Sequence, residues 1–131
     1  MIFGVGIDIL QAERVAGVYA RYGSRFVDRL LMPEELELFQ RQKRPERFLA
    51  MRFAAKEAVV KAMGTGFANG MWIRDVGAVH NRYGRPEIIF SPRGQAKCRA
   101  LGIDDGGHLS LTDEAGLVVA VAILMKAGKT T

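Results

Sequence analysis

The chain has 131 residues, of which 49% are hydrophobic and 25% are charged, so we expect one globular domain over residues 1–131 rather than a disordered chain. Its single cysteine, Cys98, excludes an internal disulfide, and no apolar run approaches the ~20 residues that a membrane-spanning helix needs. The N-terminal apolar run has no positively charged flank and is too short for a signal sequence. These features predict a soluble, cytoplasmic protein that does not bind membranes.

The net charge of +5 predicts an anionic partner. A basic surface attracts nucleic acid, acidic protein, nucleotide or phospholipid, and charge alone does not distinguish among them. An ordinary solvated basic surface without a specific partner is the alternative interpretation.

The N-terminal half is predicted to form one strand and three helices. Apolar side chains from Val15 to Leu30 follow helical spacing, and Pro33 with two acids after it is typical of the first turn of another helix. Gly64 suits the position just after a helix end. In chain order we expect a strand at 2–10 and helices at 12–30, 33–42 and 46–63.

The C-terminal half is predicted to be richer in strands. A turn at 81–85 separates two strands, and Ser91 with Pro92 begins a helix. We expect strands at 72–80, 86–90, 108–112 and 117–125 and a helix at 92–101.

Two features of this pattern bear on the fold. The last strand is apolar on both faces, so we expect it to be buried on both, under helices or at a subunit interface. The order of elements lacks the regular alternation of strand and helix that builds a parallel sheet. It therefore predicts an α+β domain with a mainly antiparallel sheet and helices packed on it.

Asp8 and Glu57 are the candidate metal ligands. Asp8 lies inside an apolar strand, where a carboxylate is costly to bury without a partner, and Glu57 lies in a helix among cations. Mg²⁺ is commonly held by one or two carboxylates together with substrate phosphates. In the alternative interpretation Asp8 caps a turn and Glu57 pairs with Lys61 four residues on.

The cations around Glu57 predict a phosphate clamp. Arg52, Lys56 and Lys61 share the helix with Glu57, and arginine and lysine are both suited to phosphate. Exposed, solubilising charges are the alternative. Gly64 and Gly66 could also let backbone amides approach a ligand, although Gly64 is explained as a helix stop.

Arginines follow one face of the first predicted helix, beside its apolar stripe. They predict a docking surface for an acidic helix or a phosphate backbone, against the commoner alternative of a solvated helix face. The four are Arg14, Arg21, Arg25 and Arg29. Of the two histidines, His80 is interpreted as structural, whereas His108 could bind a phosphate when protonated.

Several of these motifs together resemble the holo-acyl-carrier-protein synthases, the small bacterial 4′-phosphopantetheinyl transferases. The resemblance covers nearly the whole chain. It rests on the runs G-V-G-I-D-I at 4–9, R-F-A-A-K-E-A at 52–58 with G-T-G at 64–66, G-R-P at 84–86 and H-L-S-L at 108–111.

The resemblance implies transfer of phosphopantetheine from coenzyme A to a serine of apo-acyl carrier protein, with release of adenosine 3′,5′-bisphosphate, in support of fatty acid biosynthesis. It also implies dependence on Mg²⁺ and a homotrimer with active sites between subunits. By this similarity Asp8 and Glu57 hold Mg²⁺ on the pyrophosphate, and Lys61 neutralises charge on the leaving group. Glu57, or a water that it orients, is the candidate base.

The remaining implied roles concern binding. Arg52 and His108 would contact the 3′-phosphate of coenzyme A, and Gly64 would lie near the same ligand. The turn of Gly84, Arg85 and Pro86 would form the adenine edge of the pocket, supplied by the neighbouring subunit. The dock for the acidic carrier helix would consist of Arg14, Arg21 and Arg25.

The chain departs from the family pattern in three places. Thr112 and Asp113 stand where many relatives have Ser-His, and Arg85 replaces a frequent lysine. Met32 precedes Pro33 where a Ser or Thr cap is usual, so we expect a less firmly held helix start.

Two rival functions remain open. A basic nucleic-acid-binding module would explain the net charge but not the two acids. A Mg²⁺-dependent phosphotransferase or nucleotide hydrolase with another substrate would explain both.

Overall fold

A three-stranded antiparallel sheet joins the two ends of the chain. In the computed structural model, which describes residues 1–128 except for the side chains at 105 and 106, the strand order is β1 (Ile2–Gln11), β5 (Leu117–Lys126), β4 (Ile103–Glu114). A separate antiparallel pair is formed by β2 (Val76–His80) and β3 (Pro86–Phe90), after a 3₁₀ turn at Ile73–Asp75. The expected α+β domain with antiparallel sheets is confirmed.

Five helices accompany the strands within residues 1–128. They are α1 (Ala12–Tyr22), α2 (Ser24–Leu30), α3 (Pro33–Phe39), α4 (Pro45–Met63) and α5 (Pro92–Leu101). The single helix expected at 12–30 was wrong, because Gly23 adopts φ 55° and ψ −131°, which ends α1 and starts α2. None of the helices described in residues 1–128 is both long and apolar enough to cross a lipid bilayer.

The central helix α4 packs directly on β1 and β5. A Cβ atom at Gly4 would overlap the carbonyl oxygen of Ala62, and one at Gly6 would overlap that of Ala58. Only glycine therefore lets β1 lie against the helix backbone. This contact fixes Asp8, two residues after Gly6, beside the middle of α4.

Within one chain the sheet is buried on one face by α4; the expected burial of residues 117–125 on the other face, under helices or at a subunit interface, is not provided by a helix of this chain within residues 1–128, and the subunit interface stays a prediction. Alternate residues of β5 face α4 and are buried: Val118, Ala120, Ala122 and Leu124. On the other face Val5, Ile7 and Ile9 of β1 are 59%, 60% and 62% exposed. The side chains of Val119, Val121 and Ile123 between them are half-buried.

Several other boundaries differ from the expected ones. The helix opened by Pro33 ends at Phe39, before Gln42, and β4 begins at Ile103 rather than at 108. Residues 73–75 form the 3₁₀ turn instead of the start of a strand. The start of α3 is also firmer than expected, because the carboxylate of Glu35 accepts a hydrogen bond from the Met32 amide at 2.9 Å.

Candidate active site

One cluster of charges lies where β1 meets α4, and it contains three of the residues that sequence analysis selected. Asp8 and Glu57 line the same cavity, of about 400 Å³. Lys61 donates from Nζ to Asp8 Oδ1 at 3.0 Å and to the Ile7 carbonyl oxygen at 3.1 Å. The alternative interpretation, in which Glu57 forms an ion pair with Lys61, is wrong, because Lys61 pairs with Asp8.

The electrostatics of this cluster favour a cation. Partial burial raises the pKa of Glu57, the negative charge of Asp8 raises it further, and Lys61 opposes the change. Lys61 pairs with Asp8, whereas Glu57 forms no ion pair within residues 1–128, although Arg14 also lines the cavity. A divalent cation bound between the two carboxylates would remove the repulsion that raises the pKa.

The donor set also restricts the kind of metal. Within residues 1–128, no three side chains of His, Cys, Asp or Glu lie close enough together to hold a metal ion. A structural zinc site needs four such ligands. Two carboxylates instead fit Mg²⁺, which retains waters and accepts oxygens from a bound phosphate.

A second cluster of charges is buried on another face of α4. The carboxylate of Glu35 accepts from Lys56 Nζ at 2.6 Å, from the Met32 amide and, through Oε2, from the Ala78 amide at 3.0 Å. Arg52 Nε lies 3.7 Å from the same carboxylate. Lys56 and Glu35 are fully buried, and Arg52 is 2% exposed.

This arrangement corrects the sequence-based interpretation of Lys56. Its ammonium group donates to Glu35 and to the Val76 carbonyl oxygen, so it stabilises the packing of α4 on α3 and β2 rather than facing a ligand. Burial lowers the pKa of Lys56, and the charge of Glu35 opposes that change.

Arg52 reaches from the buried cluster to the wall of a cleft of about 230 Å³. Its guanidinium lies 4.3 Å from the Phe48 ring centroid, and Nη2 lies 3.1 Å from His80 Nδ1. Gly84 and Pro86 line the same cleft, so three residues selected from sequence meet here. Burial lowers the pKa of Arg52 to about 10, which still leaves it charged at neutral pH.

The charge balance around Arg52 favours an anion. Two buried cations share the single carboxylate of Glu35, and Arg52 Nε has no hydrogen-bond partner. Burial and the Arg52 charge lower the pKa of His80, so its neutral ring accepts a hydrogen bond from Arg52 rather than adding or removing charge. One positive charge therefore remains uncompensated at the cleft. Sequence analysis missed this contact of His80, because nothing in the sequence pairs positions 52 and 80.

The turn between β2 and β3 presents Arg85 to His108. The Asn81 side chain accepts hydrogen bonds from the amides of Tyr83 and Arg85, and Gly84 adopts φ 83°. Arg85 Nη2 lies 3.2 Å from His108 Nδ1 on β4, and both side chains are exposed. The predicted residues Arg85 and His108 therefore meet at the surface.

The glycines after α4 serve the helix end. Gly64 adopts φ 80°, and the amides of residues 64, 65 and 66 all donate to the Val60 carbonyl oxygen. These three amides are consequently occupied within the chain, which leaves Gly64 as a helix stop and argues against a cradle of free backbone amides at 64–66.

The four arginines are divided between α1 and α2. Arg14 lines the cavity of Asp8 and Glu57, whereas Arg25 and Arg29 line a neighbouring cavity beside Tyr22 and Phe26. Arg21 lies over the Tyr22 ring, 5.3 Å from its centroid. All four are exposed, and none forms an ion pair with another residue in the part of the chain that the structure describes.

The two candidate ligand regions are separate within one chain. The cavity of Asp8 and Glu57 and the cleft of Arg52 have no lining residue in common among residues 1–128. The first holds the carboxylate of Glu57, which has no ion-pair partner within residues 1–128, and suits a cation; the second holds the Arg52 guanidinium, whose Nε has no hydrogen-bond partner, and suits an anion.

Comparison with known proteins identifies relatives of the whole chain. Residues 4–122 match the family model of the 4′-phosphopantetheinyl transferase superfamily. The holo-[acyl-carrier-protein] synthase of Vibrio cholerae is 43% identical over 124 residues, which cover 95% of this chain and 98% of the relative.

Solved structures agree with these relatives. The crystal structure of holo-[acyl-carrier-protein] synthase from Neisseria meningitidis superposes with a TM-score of 0.90 at 37% identity, covering 96% of this chain and all of that one. A synthase from Bacillus anthracis in complex with coenzyme A (3′,5′-ADP) gives a TM-score of 0.77 at 29% identity, covering 98% of this chain and 99% of that one.

Proposed function

The chain belongs to the holo-[acyl-carrier-protein] synthases of the 4′-phosphopantetheinyl transferase superfamily, and we propose that it uses Mg²⁺ to transfer phosphopantetheine from coenzyme A to a serine of apo-acyl carrier protein. The second product is adenosine 3′,5′-bisphosphate, and the holo-carrier supports fatty acid biosynthesis. The observation that carries the proposal is a pair of charged groups on α4 that lack partners within residues 1–128: the carboxylate of Glu57, beside Asp8 of β1, and the Nε group of Arg52.

Asp8 and Glu57 would hold Mg²⁺, which neutralises the pyrophosphate of coenzyme A and polarises the phosphorus under attack. The serine oxygen bonds to that phosphorus while the phosphoanhydride bond to the nucleotide breaks. Lys61, half-exposed at the cavity edge, stabilises the negative charge that develops on the departing bisphosphate. Glu57, or a water that it orients, accepts the serine proton.

The nucleotide end of coenzyme A would bind at the cationic cleft. Arg52 supplies the uncompensated charge for the 3′-phosphate, and the adjoining pair of Arg85 and His108 adds polar donors at the surface. Gly84 and Pro86 form the edge against which adenine packs. This proposal is supported by the bound coenzyme A (3′,5′-ADP) in the Bacillus anthracis relative.

We further propose a homotrimer whose active sites combine one region from each of two subunits. Because the cation-binding and anion-binding regions are separate within one chain, a single ligand that needs both would be held between copies. The exposed apolar sheet face at Val5, Ile7 and Ile9 supplies a surface that another subunit would cover.

The arginines of α1 and α2 would dock the carrier protein. Arg14 lies in the same cavity as Asp8 and Glu57, so a carrier bound along Arg14, Arg21 and Arg25 would bring its serine to the reacting phosphorus. Their lack of acidic partners within residues 1–128 leaves their charge available to an acidic helix.

Mass spectrometry of the carrier tests the reaction directly. Wild-type protein, Mg²⁺, coenzyme A and apo-acyl carrier protein should give a carrier heavier by one phosphopantetheine, and chelation of Mg²⁺ should stop the reaction. Glu57→Ala should abolish transfer while the circular dichroism spectrum stays unchanged. Transfer by Glu57→Ala at a rate near that of wild type would refute the assignment of the metal site.

Thermal denaturation separates this function from nucleic-acid binding. Coenzyme A with Mg²⁺ should raise the melting temperature, whereas a single-stranded oligonucleotide of equal charge should not. The opposite result would favour a binding module without catalysis.

A further inference from the structure

The arginine-lined surface of α1 and α2 continues into a third cavity. Phe26 lines both the cavity of Asp8 and Glu57 and the smaller one beside α2. Arg29 lines that smaller cavity and also a larger one, of about 780 Å³, between α2 and the start of α5. The three cavities therefore form one continuous surface that starts at the candidate metal ligands.

The third cavity combines an exposed aromatic ring with arginines. Trp72 is 65% exposed, and the Arg93 guanidinium lies 5.2 Å from its ring centroid. Arg74 donates to the Asp28 carbonyl oxygen at 3.3 Å and forms no ion pair within the described residues. With Arg29, three arginines line the cavity against the carboxylates of Asp28 and Asp75, so its net charge is positive.

Hydrogen bonds of Asp75 fix the turn that carries the exposed ring. Asp75 accepts from the Trp72 amide at 2.9 Å and from Ser91 Oγ at 2.7 Å, and its carboxylate lies 3.4 Å from Arg93 Nε. Ser91 caps α5 in turn by accepting from the Gly94 amide. An exposed tryptophan beside arginines, carried on a hydrogen-bonded turn, is typical of the residues that dominate protein interfaces.

We propose that this Trp72 cavity, lined by Arg29, Trp72, Arg74 and Arg93, is a second docking site for the acyl carrier protein and binds a carboxylate-rich segment remote from its reactive serine. The proposal rests on the proposed function, because the occupant is the carrier of that reaction. It extends the docking surface beyond Arg14, Arg21 and Arg25 to a part of the molecule that the sequence did not indicate. The continuity of the three cavities and the sign of their charge carry the inference.

Steady-state kinetics of three variants test this site. Trp72→Ala and Arg74→Glu should each raise the KM for acyl carrier protein, by about tenfold, the size of a typical interface hot spot. Neither should change kcat or the KM for coenzyme A. Arg99→Glu is the matched control: it makes the same change of charge on an exposed residue of α5 outside the cavity, and its KM for the carrier should stay at the wild-type value.

The contrary outcomes separate the two proposals. An unchanged carrier KM in both cavity variants, with a raised KM in Arg21→Glu, would overturn the second site and leave the proposed function intact. An equal rise in Arg99→Glu would also overturn it, since net charge alone would then explain the effect. Loss of oligonucleotide binding in Trp72→Ala without a change in carrier KM would assign the cavity to nucleic acid instead. Absence of transfer by the wild-type protein would refute the proposed function and this inference together.

Discussion

Two charged clusters lie on different faces of α4, and their opposite balance agrees with the proposal that one helix contacts two parts of one ligand. At the surface, Lys61 pairs with Asp8 and leaves Glu57 without an ion-pair partner within residues 1–128, so the cluster favours a cation. In the interior, Lys56 and Arg52 outnumber Glu35, so the cluster favours an anion at its open end. The two clusters differ in the sign of their charge and also in burial. The difference in burial decides how much each cluster contributes to stability.

The buried cluster stabilises the fold as well as the cleft. Glu35 joins α3, α4 and β2 through hydrogen bonds from Met32, Lys56 and Ala78. Its removal would leave two cations in the interior without a counter-charge. The surface cluster makes no such connection beyond the contact of Lys61 with β1, and its two carboxylates repel each other.

The largest predicted effect comes from breaking the buried cluster. Glu35→Ala should lower the free energy of unfolding by about 3–5 kcal/mol, because it leaves Lys56 and Arg52 charged and unpaired in the interior. Urea denaturation measures this change. Glu37→Ala on the same helix is the control: it removes an exposed carboxylate 3.6 Å from Arg41 and should cost about 0.5 kcal/mol or less. Equal costs for the two variants would contradict the structural role of Glu35.

A smaller effect is expected from crowding the same carboxylate. A Cβ atom at Gly77 would lie 2.7 Å from Glu35 Oε1 and 2.8 Å from Met32 Sδ. Gly77→Ala should therefore lower the free energy of unfolding by about 1–3 kcal/mol, the usual range for overpacking. Gly17→Ala, where a new Cβ atom meets nothing within 4 Å in α1, should leave stability unchanged or raise it slightly. A harmless Gly77→Ala would show that Glu35 can move without loss.

The smallest predicted effect is a gain in stability, and it comes from a substitution in the surface cluster. Because the pKa of Glu57 is raised above its ordinary value of 4.5, the folded state holds the proton more tightly than the unfolded state between that value and the folded pKa. Stability contributed by Glu57 therefore falls as pH rises through this window. Glu57→Gln should raise the melting temperature at pH 7, and the gain should vanish below about pH 4.5, where both forms are neutral.

Addition of Mg²⁺ gives a second test of the surface cluster by melting temperature. It should raise the melting temperature of the wild-type protein at pH 7 by compensating the two carboxylates, and it should have less effect on Glu57→Gln. A wild-type melting temperature that does not respond to Mg²⁺ would contradict a shared ion at Asp8 and Glu57.

Much of the fold followed from the sequence, because periodicity and end signals are local. Strands and helices were placed in the right order, and the membership of the family was confirmed. The break at Gly23 was missed, since the apolar stripe continues from Tyr22 to Phe26 on both sides of it and a single glycine does not reveal its φ. For residues 117–125 the sequence left open whether helices or a subunit interface cover each face, because apolar composition does not say what covers a strand; α4 covers one face and the interface stays a prediction.

The candidate site was less predictable than the fold. The charged residues of the motif at 52–61 were predicted to form one site for a metal ion and phosphate. The structure instead places Lys56 in the core and Glu57 in the surface cavity. Glu35 and His80 went unrecognised as neighbours of Arg52, because they approach it from α3 and β2. Contacts between distant segments need the tertiary structure, and the roles of the candidate site residues stay predictions.

Lys56 and Glu57 are adjacent in sequence but belong to different clusters. The number of residues that precede them in α4 therefore determines whether both side chains reach their clusters. Consecutive helical side chains point about 100° apart, so inserting or deleting one residue before Lys56 would turn the remainder of the helix by that angle. The ammonium group of Lys56 would then no longer reach Glu35, and the carboxylate of Glu57 would leave the cavity that it shares with Asp8. A substitution in this segment therefore affects one position, whereas the insertion or deletion of one residue would disrupt both clusters together.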